Sequence, residues 1–217
     1  MEHKRFLLDI DTQLDFFSPA GSRYAPWSPE VAANIRSLFT WALQRQIPII
    51  STVLRVRPSE SLLMGPEPFC LEGTAGEGKL PGTIAPNYID LGMRNSTDLP
   101  RDIFARHRQV IFEKRVTDIF SHPALERLVT EAGPAEYIIC GTGMATGLLP
   151  AVLGLRHRDL DVVLATDAII DSEDEVTKNA YRRMETKGAI FSLTNELIVP
   201  GVRRTAGRVR QPQSAVA

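Results

Sequence analysis

The sequence predicts an α/β protein, a three-layer α/β/α sandwich whose central sheet is doubly wound. Two observations support this fold class: short, nearly continuous apolar runs of strand length recur along the chain, and segments with helical patterns separate them. Strands that alternate with helices in this way form a mostly parallel sheet with helices on both faces. A chain of 217 residues, 43% of them hydrophobic, is long enough for one such domain with a sizeable core.

Six runs have the length and composition of strands buried on both faces, and four segments between them are typical of helices. The strands are Phe6–Ile10, Ile47–Leu54, Gln109–Phe112, Tyr137–Cys140, Asp161–Ala165 and Ala189–Leu193. The first helix begins at Ser28-Pro29-Glu30 and runs to about Gln46, and the second begins at His122-Pro123 and runs to about Ala132, before Gly133-Pro134. Residues 146–158 and 174–187 are the other two helices.

Two stretches depart from this regular pattern. Residues 55–100 are rich in proline and glycine and weakly periodic, which indicates a long functional loop or an insertion. We expect one domain over residues 1–202, followed by a basic, disordered tail at 203–217. The tail is either simply solvated or in contact with an anionic partner.

The overall composition excludes several classes of partner. A formal net charge of -1 gives no electrostatic reason to expect binding to nucleic acid or to a membrane surface. Only two cysteines, Cys70 and Cys140, are present, which argues against a disulfide framework and favours a reducing cytoplasm. Neither a signal peptide nor an apolar run long enough to span a membrane is visible. We therefore expect a cytoplasmic protein.

Polar side chains follow three of the predicted strands at the point where each strand ends. Asp11 follows the first strand, Lys114 the third, and the glycine-rich segment 141–147 the fourth. Because ligands of open α/β sheets bind beyond the carboxyl ends of the strands, we expect the three to meet at one pocket. The alternatives are that Asp11 only caps a loop and that Lys114 is an ordinary surface lysine.

Four motifs, in this order, cover about residues 6–198 and resemble the isochorismatase-like, or cysteine hydrolase, family. They are Asp11-Thr12-Gln13-Leu14-Asp15-Phe16, Glu113-Lys114 with Asp118-Ile119-Phe120, Gly141 through Gly147, and Thr166-Asp167-Ala168 after the fifth strand. The resemblance implies six parallel strands in the order 3-2-1-4-5-6 and assembly as a homodimer or homotetramer. It also implies a small-molecule substrate.

The main departure from the family pattern is Gly147. In the amidase branch this position is a cysteine at a helix N-terminus, where the helix dipole favours the thiolate. There the resemblance makes Asp11 the base and Lys114 the positive charge. Glycine supplies no nucleophile, so we do not expect thiol amidase chemistry. Cys140 lies inside a predicted strand as a small hydrophobe, and a substitute role for Cys70 is left open.

The true isochorismatases of this family also resemble this chain in carrying glycine at the position of Gly147. The resemblance then implies hydrolysis of a vinyl ether, in which Asp11 protonates the vinyl carbon and water adds to the resulting cation. Lys114 would stabilise developing negative charge or bind a substrate carboxylate. The alternative, from a different functional class, is a catalytically inactive member that binds a ligand or another subunit.

The remaining site residues are expected near these three. The resemblance assigns Gln13 and Phe16 to substrate binding, and Thr142 and Gly143 to an oxyanion site formed by the amides of Gly143 and Gly147. The bond between Thr142 and Gly143 is either cis, as in family members, or part of an ordinary glycine-rich turn. Arg55 shares one face of an extended segment with Arg57, where it either binds a substrate carboxylate or is solvated.

No metal or other cofactor is expected. Nicotinamidases of this family place Asp-x-His after the second strand, whereas this chain has Leu54-Arg55-Val56-Arg57, and its four histidines show no spacing typical of ligands. The segment 73–79 superficially resembles a phosphate-binding loop, but it lacks the Gly-Lys-Ser/Thr ending of that motif.

Overall fold

The computed structural model describes residues 4–172 and 174–199. The predicted tail at 203–217 and the predicted domain boundary at residue 202 lie outside these residues. Within the two described segments, no helix is both long enough and apolar enough to cross a bilayer.

The described chain forms one sheet of seven strands in which every pairing is parallel. The strands are β1 (Arg5–Ile10), β2 (Ile49–Leu54), β3 (Tyr88–Asp90), β4 (Gln109–Lys114), β5 (Glu136–Thr142), β6 (Asp161–Ile170) and β7 (Ile190–Ser192). Their order across the sheet is β3-β4-β2-β1-β5-β6-β7. The six predicted strands are all present, in the order that the resemblance implied.

The prediction of six strands is wrong because it missed β3, a seventh strand at the edge of the sheet. Its residues pair with the start of β4, and both Tyr88 and Asp90 are exposed. A strand of three residues at an edge needs no apolar run, so it gives no pattern in the sequence.

Seven α-helical segments, several of them very short, connect or flank the strands of the described chain. They are α1 (Leu14–Phe17), α2 (Ser28–Gln44), α3 (Ile103–Arg106), α4 (Pro123–Glu131), α5 (Leu149–Arg156), α6 (Glu175–Thr186) and α7 (Thr194–Ile198). The four predicted helices correspond to α2, α4, α5 and α6. The other three have only four or five residues, too few for a periodic pattern.

Helices cover both faces of the sheet and bury two separate apolar cores. One core holds residues of α1, α2 and α7 with Leu7 of β1, and we call this side the α2 face. The other holds residues of α3 to α6 with Phe6, Leu8 and Ile10 of β1, and we call it the α5 face. Successive side chains of a strand point to opposite faces, so β1 must be apolar nearly throughout.

Strand β6 is longer than predicted because it contains an irregularity. Ile139 of β5 pairs with Leu164, whereas Gly141 pairs with Ile169, so five residues of β6 advance against two of β5. The motif Thr166-Asp167-Ala168, predicted to follow the strand, therefore lies within it. The Asp167 carboxylate binds the first residue of α7. It accepts hydrogen bonds from the backbone amide and the hydroxyl of Thr194, at 2.8 and 2.7 Å.

The predicted loop at 55–100 is irregular but well attached to the sheet. It contains two 3-10 turns, Pro58–Met64 and Ala75–Glu77. An isolated antiparallel bridge joins Lys79 to Gln13, and the Leu80 amide donates to the carbonyl of Thr12 at 2.9 Å. This loop thus lies directly against the end of β1.

Candidate functional site

The chain turns sharply where β1 ends, at Asp11. This residue has a φ of 52°, in the left-handed region that non-glycine residues rarely adopt. Its backbone is held from two sides: its amide donates to the Thr52 carbonyl at 3.3 Å, and its carbonyl accepts the Thr142 hydroxyl at 3.0 Å. A left-handed residue held by hydrogen bonds to both neighbouring strands is typical of a functional site.

The turn brings the Asp11 carboxylate to Lys114, at the end of β4. The Lys114 Nζ lies 2.6 Å from Asp11 Oδ2, and the Thr52 hydroxyl donates to Oδ1 at 2.7 Å. Lys114 also donates to the carbonyl of Thr117 at 3.0 Å. The structure therefore brings the two predicted charged residues together, although they are 103 positions apart in the sequence.

The ion pair is almost completely removed from solvent. Asp11 is 4% exposed and Lys114 is 3% exposed. Both carboxylate oxygens of Asp11 are occupied, one by the ammonium and one by a hydroxyl. A buried charge needs such partners, because its desolvation costs several kcal/mol per ion. Chemically, Asp11 is a carboxyl group that can donate or accept a proton, and Lys114 holds a positive charge next to it. Both side chains are buried, so water must enter the site before either of them can take part in hydrolysis.

Gly147 lies beside this pair, in the segment that leads into α5. A Cβ placed on Gly147 would be 3.3 Å from the Thr142 carbonyl oxygen, 3.4 Å from Ile10 Cγ2 and 3.9 Å from the Thr117 carbonyl oxygen. Thr117 is the residue that also accepts from Lys114. A side chain at position 147 would therefore be in direct contact with the Thr142 carbonyl and with Ile10.

The predicted oxyanion site is not formed as expected. The Gly147 amide donates to the Gly143 carbonyl at 2.7 Å, within a π-helical turn over Met144–Leu148, and so is not free for a ligand. Gly143 has a φ of 76°, which favours glycine. No cis peptide bond occurs in residues 4–172 and 174–199, so the segment is the glycine-rich turn of the two alternatives. The Thr142 hydroxyl holds the backbone of Asp11 instead of facing a ligand.

Gln13 and Phe16 both contact the protein itself, Gln13 through hydrogen bonds and Phe16 through core packing. The Gln13 amide group donates to the carbonyls of Leu54 and Glu77, both at 2.8 Å, and its oxygen accepts from the Leu54 amide at 2.8 Å. Both amide protons are therefore used to tie β1, β2 and the 55–100 loop together. The Phe16 ring lies in the core of the α2 face, edge-on to Phe69 with centroids 5.4 Å apart.

Arg55 is likewise committed to protein partners. Its guanidinium lies 2.5 Å from Glu77 and 2.6 Å from Glu113. Burial acts to lower the pKa of Arg55, but the hydrogen bonds to these two carboxylates outweigh it, so the pKa is raised. Arg55 therefore follows neither of the two alternatives in this conformation, substrate binding or simple solvation, because two carboxylates of the protein already occupy its guanidinium.

A second buried ion pair, which the sequence did not suggest, lies on the opposite side of β1. Lys79 Nζ lies 2.6 Å from Asp9 Oδ2 and donates to the Thr12 hydroxyl at 2.9 Å, while the Ser51 hydroxyl donates to the same Asp9 oxygen at 2.8 Å. Asp9 is 0% exposed, and its Oδ1 has no hydrogen-bond partner. Asp9 is a charged residue inside an otherwise apolar strand, and this could have predicted the ion pair, since an unpaired buried charge is strongly unfavourable.

Neither cysteine replaces the missing nucleophile. Cys70 and Cys140 are both free and fully buried. Burial raises the pKa of the Cys70 thiol, and the charges of Asp11 and Asp15 add to this, against a smaller opposing effect of Lys114. Burial likewise raises the pKa of Cys140, with a contribution from Asp9. Both thiols are therefore protonated and poorly reactive.

A cavity of about 780 Å³ lies at the sheet edge, not at the buried ion pair. It is bordered by residues 89–94 of β3 and the following segment, by Ser96 and 98–100, by Glu113 of β4, and by His122 and Ala124 at the start of α4. Asp11, Lys114 and Gly147 do not border it.

The sequence profile of the isochorismatase domain matches residues 5–196. The chain belongs to this family. No curated protein matches the sequence. The matched residues include β1, β4 and β5, whose ends carry Asp11, Lys114 and Thr142, so the family assignment covers the whole site.

Solved structures of the family share the fold at low sequence identity. N-carbamoylsarcosine amidase from Thermoplasma acidophilum is 14% identical, with a TM-score of 0.66 over 91% of this chain and 99% of that one. Pyrazinamidase of Pyrococcus horikoshii, in complex with zinc, is 19% identical, with a TM-score of 0.66 over 88% and 99%. An isochorismatase family protein from Desulfovibrio vulgaris is 18% identical, with a TM-score of 0.67 over 90% and 96%.

The residues that the structure describes do not form a site that fits a zinc ion. Zinc sites in proteins use histidine, cysteine or carboxylate ligands, usually four in total. Within the described part of the chain, no group of three or more such residues is arranged to hold a metal. The segment that follows β2 carries the cations Arg55 and Arg57.

Proposed function

We propose that this member of the isochorismatase family is a hydrolase of a small carbonyl-containing or carboxylated metabolite, acting through Asp11 and Lys114 without a cysteine nucleophile. The observation that carries the proposal is the 2.6 Å contact between Asp11 Oδ2 and Lys114 Nζ, at the carboxyl ends of β1 and β4 and beside Gly147. Ligands of open α/β sheets bind at this edge, and paired ionisable groups shielded from water are typical of catalytic sites.

Hydrolysis of a vinyl ether is the reaction that this pair serves best. Asp11, once protonated, gives its proton to the vinyl carbon, and a carbon–hydrogen bond forms as the double bond is consumed. Water then adds to the resulting oxocarbenium carbon and gives up one proton, which returns to the Asp11 carboxylate. The hemiketal breaks its carbon–oxygen bond, and its hydroxyl proton passes to the leaving oxygen, to give a ketone and an alcohol. Lys114 stabilises negative charge on the substrate during these steps. Since both groups are buried, the substrate must displace part of the surrounding loop before it reaches them.

A second candidate, an inactive member that binds a ligand or another subunit, is favoured by a different observation. Both oxygens of Asp11 and the amide of Gly147 are already engaged within the protein. A pair with these contacts can also act as a purely structural element that joins β1 to β4. The two candidates make opposite statements about turnover, so one experiment separates them.

The test is a hydrolysis screen with isochorismate and small amides, run with the wild type, Asp11→Asn and Asp9→Asn. The two variants make the same substitution in two buried aspartate–lysine pairs with the same 2.6 Å contact, so Asp9→Asn controls for the loss of a buried ion pair. We expect vinyl-ether hydrolysis that falls by about 100-fold or more in Asp11→Asn and persists in folded Asp9→Asn. Absence of turnover in the wild type, or equal loss in both variants, would favour the structural role.

A further inference from the structure

Two hydroxyl side chains interrupt the apolar strand β2, and each of them donates to a carboxylate of β1 or of its end. Ser51 and Thr52 are both fully buried. The Ser51 hydroxyl donates to Asp9 and the Thr52 hydroxyl donates to Asp11, at 2.8 and 2.7 Å. Burial of a hydroxyl is unfavourable unless it is hydrogen-bonded, so both contacts satisfy a structural need. The Thr52 contact, unlike that of Ser51, also reaches the ion pair on which the proposed hydrolysis depends.

Thr52 holds Asp11 at two points. Its carbonyl accepts from the Asp11 amide at 3.3 Å, and its hydroxyl donates to Asp11 Oδ1. The residue before Asp11, Ile10, is paired with Thr52 in the parallel register of β1 and β2. Threonine is β-branched, which restricts its χ1 angle and therefore the direction of its hydroxyl. The position of β2 against β1 thus fixes where the hydroxyl meets the carboxyl group.

The two oxygens of Asp11 face chemically different partners. Oδ2 lies 2.6 Å from the ammonium of Lys114, which is positively charged and can only donate. A proton on Oδ2 would lie against that charge, whereas the Thr52 hydroxyl at Oδ1 is neutral and can both donate and accept. When Asp11 takes up a proton, Oδ1 therefore carries it and Oδ2 remains the acceptor for Lys114. Contacts at both oxygens also fix the plane of the carboxyl group, which otherwise turns readily about its Cβ–Cγ bond.

On the basis of the proposed hydrolysis, we infer that Thr52 is a positioning residue, which holds the carboxyl group of Asp11 so that Oδ1 delivers the proton to the substrate. The Oδ1–H bond breaks and leaves its electron pair on the carboxylate, while the double-bond electrons form the new carbon–hydrogen bond. Thr52 and Lys114 then stabilise the carboxylate, each by donating to one oxygen. The proton that the added water gives up returns to Oδ1. Thr52 itself neither gains nor loses a proton.

The test compares Thr52→Val, Thr52→Ser and Ser51→Ala with the wild type, with the vinyl ether isochorismate as the substrate. Valine has nearly the shape of threonine but no hydroxyl. We expect Thr52→Val to lower kcat by about ten-fold and to leave KM unchanged, because the lost contact acts on proton transfer and not on substrate binding. Serine keeps the hydroxyl, so Thr52→Ser should stay within about three-fold of the wild type. Ser51→Ala removes the matching donor to Asp9 and should change neither constant.

Circular dichroism establishes that each variant is folded, and Thr52→Ala tests the same loss of the hydroxyl if the valine variant is not. An unchanged kcat in a folded variant without the hydroxyl, a rise in KM alone, or an equal fall of kcat in Ser51→Ala would overturn the role of Thr52 and leave the proposed hydrolysis standing. Absence of turnover in the wild type would instead refute the hydrolysis and, with it, the role of Thr52. The two failures are therefore distinguishable.

Discussion

Asp9 and Asp11 are separated by a single residue, yet their carboxylates lie on opposite faces of the sheet. Asp9 accepts from Ser51 and Asp11 from Thr52, and these neighbours on β2 point to opposite sides. Residues two apart on a regular strand would share a face, so the left-handed backbone of Asp11 makes the difference. The strand end thus sends one charge to Lys79 and the other to Lys114.

Removing one partner of the Asp11–Lys114 pair should strongly destabilise the fold. We expect Lys114→Met to lower the free energy of unfolding by about 3–5 kcal/mol, because it leaves Asp11 charged and buried without its counter-ion. The double variant Asp11→Leu/Lys114→Met should lose less than the sum of the two single variants. Urea denaturation checks this. Additive losses would show that the two groups do not interact.

Arg55 should hold the 55–100 loop against β4, because it pairs with Glu77 of the loop and with Glu113 of the strand. We expect Arg55→Ala to leave Glu77 and Glu113 unpaired and to speed amide hydrogen exchange in residues 71–80, since both carboxylates repel each other without it. Hydrogen exchange with mass spectrometry measures this. Arg57→Ala, whose partner Glu60 is in the same loop, is the matched control and should leave residues 71–80 unchanged.

A cysteine introduced at position 147 should be the most reactive thiol of the protein. In Gly147→Cys the thiol would lie at the start of a helix near Lys114, and both features lower a thiol pKa. Cys70 and Cys140 are buried with raised pKa values. We expect alkylation of the introduced thiol by iodoacetamide to be at least about ten-fold faster than that of either native cysteine. Peptide mapping identifies the site, and alkylation no faster than that of Cys70 or Cys140 in a folded variant would contradict the expected activation of the thiol.

The raised pKa of Asp90 predicts a specific dependence of stability on pH. A carboxyl whose folded-state pKa is raised destabilises the folded protein while it is charged, and the penalty disappears as pH falls through that raised pKa towards the ordinary value of 3.8. We expect Asp90→Asn to be more stable than the wild type at pH 7 and equal to it at pH values below 3.8. Chemical denaturation across this range measures the difference. A gap that widens on acidification would contradict the assigned direction.

The chain is expected to assemble as a homodimer or homotetramer, as the family resemblance implied. Sedimentation velocity at several micromolar concentrations measures the mass. A single species of 24.1 kDa at every concentration would refute the expectation.

The parts of the site that depend on sheet geometry could be predicted from the sequence. Asp11 and Lys114 follow apolar strands, and the carboxyl ends of neighbouring parallel strands must meet at one edge. The partners of individual side chains could not be predicted in the same way. Gln13 and Arg55 have polar groups suited to a substrate, but backbone carbonyls and two glutamates occupy them, and no pattern in the sequence records those long-range contacts.

The pairing of Lys79 with Asp9 could not be predicted from the sequence either. Lys79 lies in a glycine-rich stretch without periodicity, where a lysine is ordinarily solvated, and only the folded loop brings its ammonium to Asp9. Asp9 itself was visible as a charge in an apolar strand. Its presence there required a buried cation somewhere in the chain, but the sequence does not identify which of the lysines and arginines supplies it.

The alternation of Glu113 and Lys114 along β4 has a consequence for how this protein can diverge. The two residues are adjacent, but Lys114 reaches the ion pair with Asp11, whereas Glu113 reaches Arg55 and borders the cavity. Inserting or deleting one residue in β4 would exchange the two sides of the strand, so both regions would be lost together. Natural variants of this chain should therefore conserve the length of β4 strictly, while changes in length accumulate in the segment that follows β3.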